Sequence, residues 1–321
     1  MTRQKVLQRV DNQRQKQERE LDDRRYQLEQ DQTHELHLQD VFKTYIQDIT
    51  IVLFKVKQSF VDNHTKLAYI RSNTLLTLDE LDASRKLRVF TFLYESDLLP
   101  RILSSYGSSD ADISLDLSGA DLASIFLLSS SYKKFEFHKL SLSSVNLVNA
   151  SFILCHFRNG VYFTSSALIN TSFTRSNFEC RSLYDDDSYS VNEPHVFFDH
   201  STLHAADFGG SYLREVSFNF ANMSNVNFNG AKFEESIQFE GTTLTNVDFR
   251  PSDLRYPLYT TFFNTDLRGA LFNIYLLEQI DRGNLKMNNA ILWNGTWSMN
   301  KNLQKSYYKT SFSEQVSNDV L

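Results

Sequence analysis

The chain has 321 residues, 41% hydrophobic, 22% charged and 13% aromatic, with a formal net charge of −6; that is length for about two domains. Its 26 Phe and 15 Tyr argue against wholesale disorder, and only 10 Gly and 4 Pro argue against a Rossmann-type or collagen-like chain. Two cysteines, Cys155 and Cys180, cannot make a disulfide-dense scaffold. The start, with Arg3, Lys5 and Arg9 among glutamines, lacks a signal peptide's apolar run, so an intracellular, cytoplasmic chain with no membrane span is expected.

In the first 35 residues eight basic, eight acidic and eight Gln side chains leave little to bury, which predicts a solvated helix. From Leu7 a 3-4 spacing runs through Val10, Arg14, Gln17, Leu21, Arg24, Leu28, Asp31, Glu35, Leu38, Phe42, Tyr45, Ile49, Val52 and Val56. No Pro or Gly precedes Pro100, so one helix over about residues 3–58 is the simplest local structure. From Leu38 onward this stripe is wholly apolar and must be covered. A second copy, giving a homodimer through the N-terminal helix, or an intrachain helical hairpin would each do so. Two shorter helices follow, over about 73–81 and 83–99. Asp82 is placed to cap the latter, which should bury Leu87, Phe90, Leu93 and Tyr94 before Pro100 stops it. Together residues 1–104 form the helical region.

From Leu117 a large apolar residue falls at every fifth position, at Leu117, Leu122, Leu127, Tyr132, Phe137, Leu142, Leu147, Phe152 and Phe157. After a one-residue slip the beat resumes from Phe163 to Leu183, then from Phe198 to Phe233, and through further slips it reaches Met287, Leu292 and Trp297. Two places before a centre the residue is often small, as at Ala120, Ala150, Cys155, Ala206 and Ala231, and Asp or Asn often stands between, as at Asp121, Asn146, Asp207 and Asn227. A period of five fits neither helix nor strand, so the chain must turn once per repeat to keep each centre inward. Four repeats then close a square rung of about twenty residues, stacked at the roughly 4.8 Å spacing of paired strands, which gives about eight rungs. Asp and Asn can accept from corner N–H groups that the ladder misses.

Segments such as SGADL (118–122), AADFG (205–209), FANMS (220–224), VNFNGAKF (226–233) and TDLRGALF (265–272) resemble the pentapeptide repeat family over roughly residues 112–299. The stretch 73–99 resembles the helical segment that precedes the repeats in some members. The resemblance implies a mainly β fold, a right-handed quadrilateral β-helix behind an α-helical N-terminal region. Phe in place of Leu at many centres, and Ser or Thr at several corners, depart from the family pattern.

No P-loop, GxSxG, HExxH, CxxC or GxGxxG is present. The largest break in the beat, Tyr184 to His195, is expected to be an acidic loop bulging from one rung, with Glu193, His195, Asp199, His200 and His204 nearby. Adjacent sides of a coil do not converge on a metal, and His34 with His37 on a polar helix are expected to be solvated. Arg250 to Phe262, with Pro251 and Pro257, reads as a corner loop. Cys155 reads as a buried thiol and Cys180 as outward-facing. No catalytic, cofactor-binding or metal residue is therefore assigned, and no cofactor. The helices of 73–99 should cap the first rung, and residues 300–321 are a tail or a second cap.

Residues 111–299 hold 13 Lys and Arg against 20 Asp and Glu, which disfavours direct nucleic acid binding. The expectation is a noncatalytic scaffold, a protein-interaction module presenting a rigid rod to a protein partner. The family resemblance implies an alternative, an acidic DNA mimic acting on a topoisomerase or other DNA-binding protein.

Overall fold

The computed structural model describes residues 3–54, 62–99 except 97, 115–179 with breaks at 131, 133, 139 and 159, 195–256 except 251, 260–272, 287 and 290–292. Three helices come first: α1 (Arg3–Phe54), α2 (Asn63–Glu80) and α3 (Ala83–Glu95). In α1 the change from polar to apolar at Leu38 decides what packs. Leu38, Tyr45 and Ile49 are buried, whereas every residue from 12 to 37 is exposed. The apolar half is covered within the chain by α2 and α3. Tyr45 Oη lies 2.9 Å from Thr74 Oγ1 across the α1–α2 contact, and burial pushes the phenol up to about 12.

α2 starts ten residues before the expected Asn73. Asp62 caps it, accepting from the Thr65 N–H at 2.6 Å, and the polar run Asn63–Lys66 hid this turn from an apolar-periodicity reading. Asp82 caps α3 as expected, accepting from the Arg85 N–H at 3.0 Å. α3 ends at Glu95, where the Ser96 N–H returns to Phe92 O at 2.9 Å, so the helix stops well before Pro100. It buries Val89, Phe90 and Leu93, together with Lys86, whose ammonium pairs with Asp121. Leu87 and Tyr94, expected inside, are only partly buried.

Beyond α3 the chain coils. One wall is traced by bridges joining Asp121, Asn146, Ala167, Thr202, Asn222, Thr243, Asp266 and Ile291, all parallel. The second runs from β1 (Phe126–Leu128) through β3 (Ser151–Ile153) to Ser172, Asp207, Asn227, Asp248 and Leu271. The third stacks β2 (Glu136–His138), β4 (His156–Arg158), β6 (Asn177–Glu179), β8 (Tyr212–Ser217), β9 (Lys232–Gln238) and β10 (Asp253–Tyr256). The fourth joins Ser141, β5 (Val161–Tyr162), β7 (Val196–Phe197) and the ends of β8 and β9 to Thr261. Four walls with parallel register at every level are the quadrilateral β-helix that the period of five requires.

The Phe-rich centres form columns. Phe163, Phe198, Phe218, Phe239 and Phe262 stack face to face on the fourth wall at 4.8, 5.0, 5.5 and 5.1 Å. On the second wall Phe152, Phe173, Phe208, Phe228, Phe249 and Phe272 do the same at 5.1–5.5 Å. Rings on the facing second and fourth walls meet edge to face across the coil, as Phe198 meets Phe208 at 5.6 Å and 84°. Each such pair adds about 0.5–1.5 kcal/mol beyond its buried area, a physical reason for Phe where the family pattern has Leu.

Two centres read from the beat need correction or stand apart. Tyr132 is 99% exposed. Asp121 to Asn146 is a step of 25 residues, against 20 from Thr202 to Asn222, so Tyr132 lies in a five-residue insertion that a period-five search cannot see. The step from Ala167 to Thr202 is 35 residues, yet Phe178 and Phe198 touch at 5.7 Å as adjacent centres. Leu183, the Tyr184–Glu193 part of the break, Cys180, Leu277, Trp297, Pro251, Pro257 and residues 300–321 lie outside the described residues. Every other expected centre whose burial is described is buried.

The corners share one local rule. Ser124, Asn149, Leu154, Asn170, Ala205, Phe220, Asn225 and Gly241 all have φ between 56° and 64°, and each sits two residues after a centre. Asp or Asn supplies the missing acceptor: Asp207 Oδ1 takes the Gly209 N–H at 2.8 Å, and Asn227 Oδ1 that of Asn229 at 2.9 Å. The Ser and Thr residues at small inward positions have their own role. Ser166, Thr171, Ser176, Thr242, Ser252 and Thr265 are buried and donate to a centre's carbonyl one rung below, at 2.6–3.0 Å.

The first rung is capped by α3. Phe90 and Tyr94 lie 6.0 and 5.2 Å from the Phe137 ring, and the Tyr94 hydroxyl donates to Glu136 O. Arg71 of α2 adds a bond to Ser118 O at 2.7 Å and an ion pair to Asp116.

Candidate interaction surface

Between the third and fourth walls the number of residues separating consecutive centres repeatedly exceeds five. Phe157 to Phe163 carries one residue more than the repeat, Phe178 to Phe198 fifteen more, Phe233 to Phe239 one more. Gly160, with φ +86°, accommodates the first of these. Irregular connections on a rigid scaffold are where binding groups concentrate, and the third and fourth walls flank this one.

On the third wall, charges pair along the stack. Arg158 meets Glu179 at 3.1 Å, Arg214 meets Glu235 at 2.7 Å, and Tyr212 donates to Glu234 at 2.5 Å. Burial opposes the Arg214 cation, and Glu235 with Glu215 overcomes this and raises its pKa. Burial raises Glu215 above the usual carboxylate value. His138 and His156 are pushed below the ordinary histidine value, first by burial and then by Arg158. The wall is thus largely self-neutralised.

On the fourth wall and the corner that follows it, two pairs of outward rings stack. Tyr162, 41% exposed, stacks on Phe197 at 4.8 Å and 4°. Three residues on, His200 stacks on Phe220 at 5.0 Å and 9°, and Phe220 is 52% exposed. Gly241 makes the second stack possible, because a Cβ there would lie 2.4 Å from Phe220 Cδ1. Asp199, between Phe197 and His200, accepts from the Asn219 N–H at 2.9 Å and from the Ser217 hydroxyl. Four rings therefore climb three successive rungs on one side of the rod.

The residues singled out from sequence do not converge on one site. His195 lies 3.8 Å from Glu215, His204 is exposed, His200 is in the ring stack, and Asp199 is in the corner network. Glu193 lies outside the described residues. His37 is 3.7 Å from Glu80, and His34 is exposed. Cys155 is buried, with its thiol pushed up to about 12 by burial. Among the described residues no three His, Cys, Asp or Glu are grouped to hold a metal, and no helix is long and apolar enough to cross a membrane. Sequence reading missed Tyr162, Phe197 and Phe220; the available signal was an aromatic ring at outward positions that elsewhere hold Ser, Thr, Asn or Asp.

A family model described as pentapeptide repeats matches residues 201–237 as 8 copies. No curated protein sequence matches the chain. Among solved structures it is similar to HetL, a pentapeptide repeat protein involved in heterocyst differentiation regulation from the cyanobacterium Nostoc sp. The identity is 15% over 56% of this chain and 86% of HetL, with TM-score 0.23. It is also similar to QnrB1, a plasmid-mediated fluoroquinolone resistance protein, at 15% identity over 62% of this chain and 83% of QnrB1, TM-score 0.33. A pentapeptide repeat protein of the Arabidopsis thaliana thylakoid lumen shares 20% identity over 44% of this chain and 68% of its own, TM-score 0.15. The matched pentapeptide repeats, residues 201–237, thus lie inside a four-walled coil that continues in register on both sides of them, behind a helical N-terminal region.

Proposed function

We propose that the protein is a noncatalytic scaffold that docks a protein partner on the aromatic fourth wall. The observation that carries this reading is the exposed ring ladder Tyr162, Phe197, His200 and Phe220, held on a core that leaves it little freedom. Tyr and Phe on a pre-ordered surface supply large contact area at low entropic cost, which is why aromatic residues dominate interface energetics. Full-length protein immobilised against extract of its own cells tests it. A protein retained by the native chain should be lost from Tyr162→Ala/Phe220→Ala and kept by Phe126→Ala/Leu128→Ala on the second wall. If everything retained survives the first double substitution, this reading falls.

The acidic DNA-mimic reading is less well supported. Asp248 and Asp266 pair with Arg250 and Arg268, Glu179 and Glu235 with Arg158 and Arg214, and Asp207 is taken up by corner N–H groups. A topoisomerase assay unchanged by excess protein is the expected result; inhibition would favour mimicry.

A further inference from the structure

Residues 12–37 of α1 are exposed on every side, Leu21, Tyr26 and Leu28 among them. At one end Glu35 meets Arg85 and His37 meets Glu80, but nothing in the described chain covers Leu21, Tyr26 or Leu28. Their charges are sorted along the axis: residues 3–19 hold six basic and two acidic side chains, residues 20–37 two basic and six acidic. This order does not serve the helix itself. A helix favours acidic groups at its N-terminus and basic ones at its C-terminus, and α1 has no acidic residue in its first turn and no basic residue in its last. Local pairs such as Arg14–Glu18 at 3.7 Å support the helix, but they do not need the two halves to differ in sign.

We propose that α1 pairs antiparallel with the α1 of a second copy of this chain, centred on Leu21. The basic half of each helix then lies along the acidic half of the other, and the two macrodipoles oppose. A parallel pair would set like halves side by side. On the 3-4 stripe an antiparallel pair centred there brings Leu21 against its own equivalent and Leu28 against the alkyl stem of Arg14. The overlap of about 35 residues is roughly 50 Å long, so the two β-helices sit at opposite ends of a strut. The pairing is independent of which wall binds a partner.

Light scattering on the full chain at about 100 μM and low salt should give twice the 37.3 kDa chain mass, falling toward a single chain in about 0.5 M salt as exposed charges are screened. Orientation is read by cross-linking in a Cys180→Ser background. Arg14→Cys mixed with Leu28→Cys should form a disulfide dimer, whereas Arg14→Cys alone should not. Reversal in Arg14→Glu/Lys16→Glu, at exposed positions outside the packed body, should weaken the dimer at least tenfold. A single-chain mass at low salt overturns the proposal, as does self-linking of Arg14→Cys.

Discussion

At a corner, one residue per repeat adopts a backbone conformation that costs an L residue about 1–2 kcal/mol. Asn bears it readily at positions 149, 170, 225 and 246; Ala205 gains nothing in return. Ala205→Gly should therefore raise the urea midpoint, by the equivalent of about 0.5 kcal/mol after the extra entropy of the unfolded chain is counted. Gly241→Ala should do the reverse and cost about 2 kcal/mol, because φ of +64° and the Phe220 ring both oppose a Cβ. In Phe220→Ala the same change should cost distinctly less, and a double-mutant cycle on denaturation free energies measures that coupling. Ser176 presents a different case. Its hydroxyl donates to Phe152 O at 2.7 Å and accepts from the Cys155 N–H at 3.0 Å. Ser176→Ala strands both in a dry core and should cost about 1–3 kcal/mol, although alanine occupies the equivalent position at 150 and 206.

At the scale of the element, α3 protects an otherwise open ladder. Phe90 and Tyr94 cover the Phe137 ring, and Lys86 is held by Asp121. Deleting residues 1–104 should leave repeats that aggregate on size exclusion, since parallel edges recruit further strands; a soluble monomer would show that the cap lies elsewhere. The third wall carries a pH dependence of known sign. His138 and His156 are depressed below 6.5, so the unfolded chain protonates first and the contribution, complete above that value, declines as pH falls through it. Urea midpoints should drop between about pH 7.5 and 5.5, and the slope should flatten in His138→Gln/His156→Gln. Glu215, raised by burial, works oppositely but nearer the carboxylate range.

For the whole molecule, the spacing of bulky residues specified the coil, its four walls and its inward columns, because inwardness recurs with a fixed count. What it could not specify was length added in whole repeats. Tyr132 kept the beat while standing in water, since its insertion is five residues long. The start of α2 was hidden because a capping Asp and polar first turn carry no apolar rhythm. The aromatic side was hidden for another reason: an outward ring adjacent to an inward one looks like more core until the turn at each corner assigns it a side.

The fifteen residues that separate Glu179 from His195 have a practical corollary. Glu179 and His195 address consecutive residues of the next rung: Phe178 is registered with Leu213, the His195 N–H bonds Glu215 O at 2.8 Å, and Val196 is registered with Val216. Splicing residue 179 directly to 195 should thus leave a rung of ordinary length, with melting behaviour within about 1 kcal/mol of the parent. The same junction should accept a foreign peptide of arbitrary length, making the rod a platform for display in which cargo is exchanged without touching the tube that carries it.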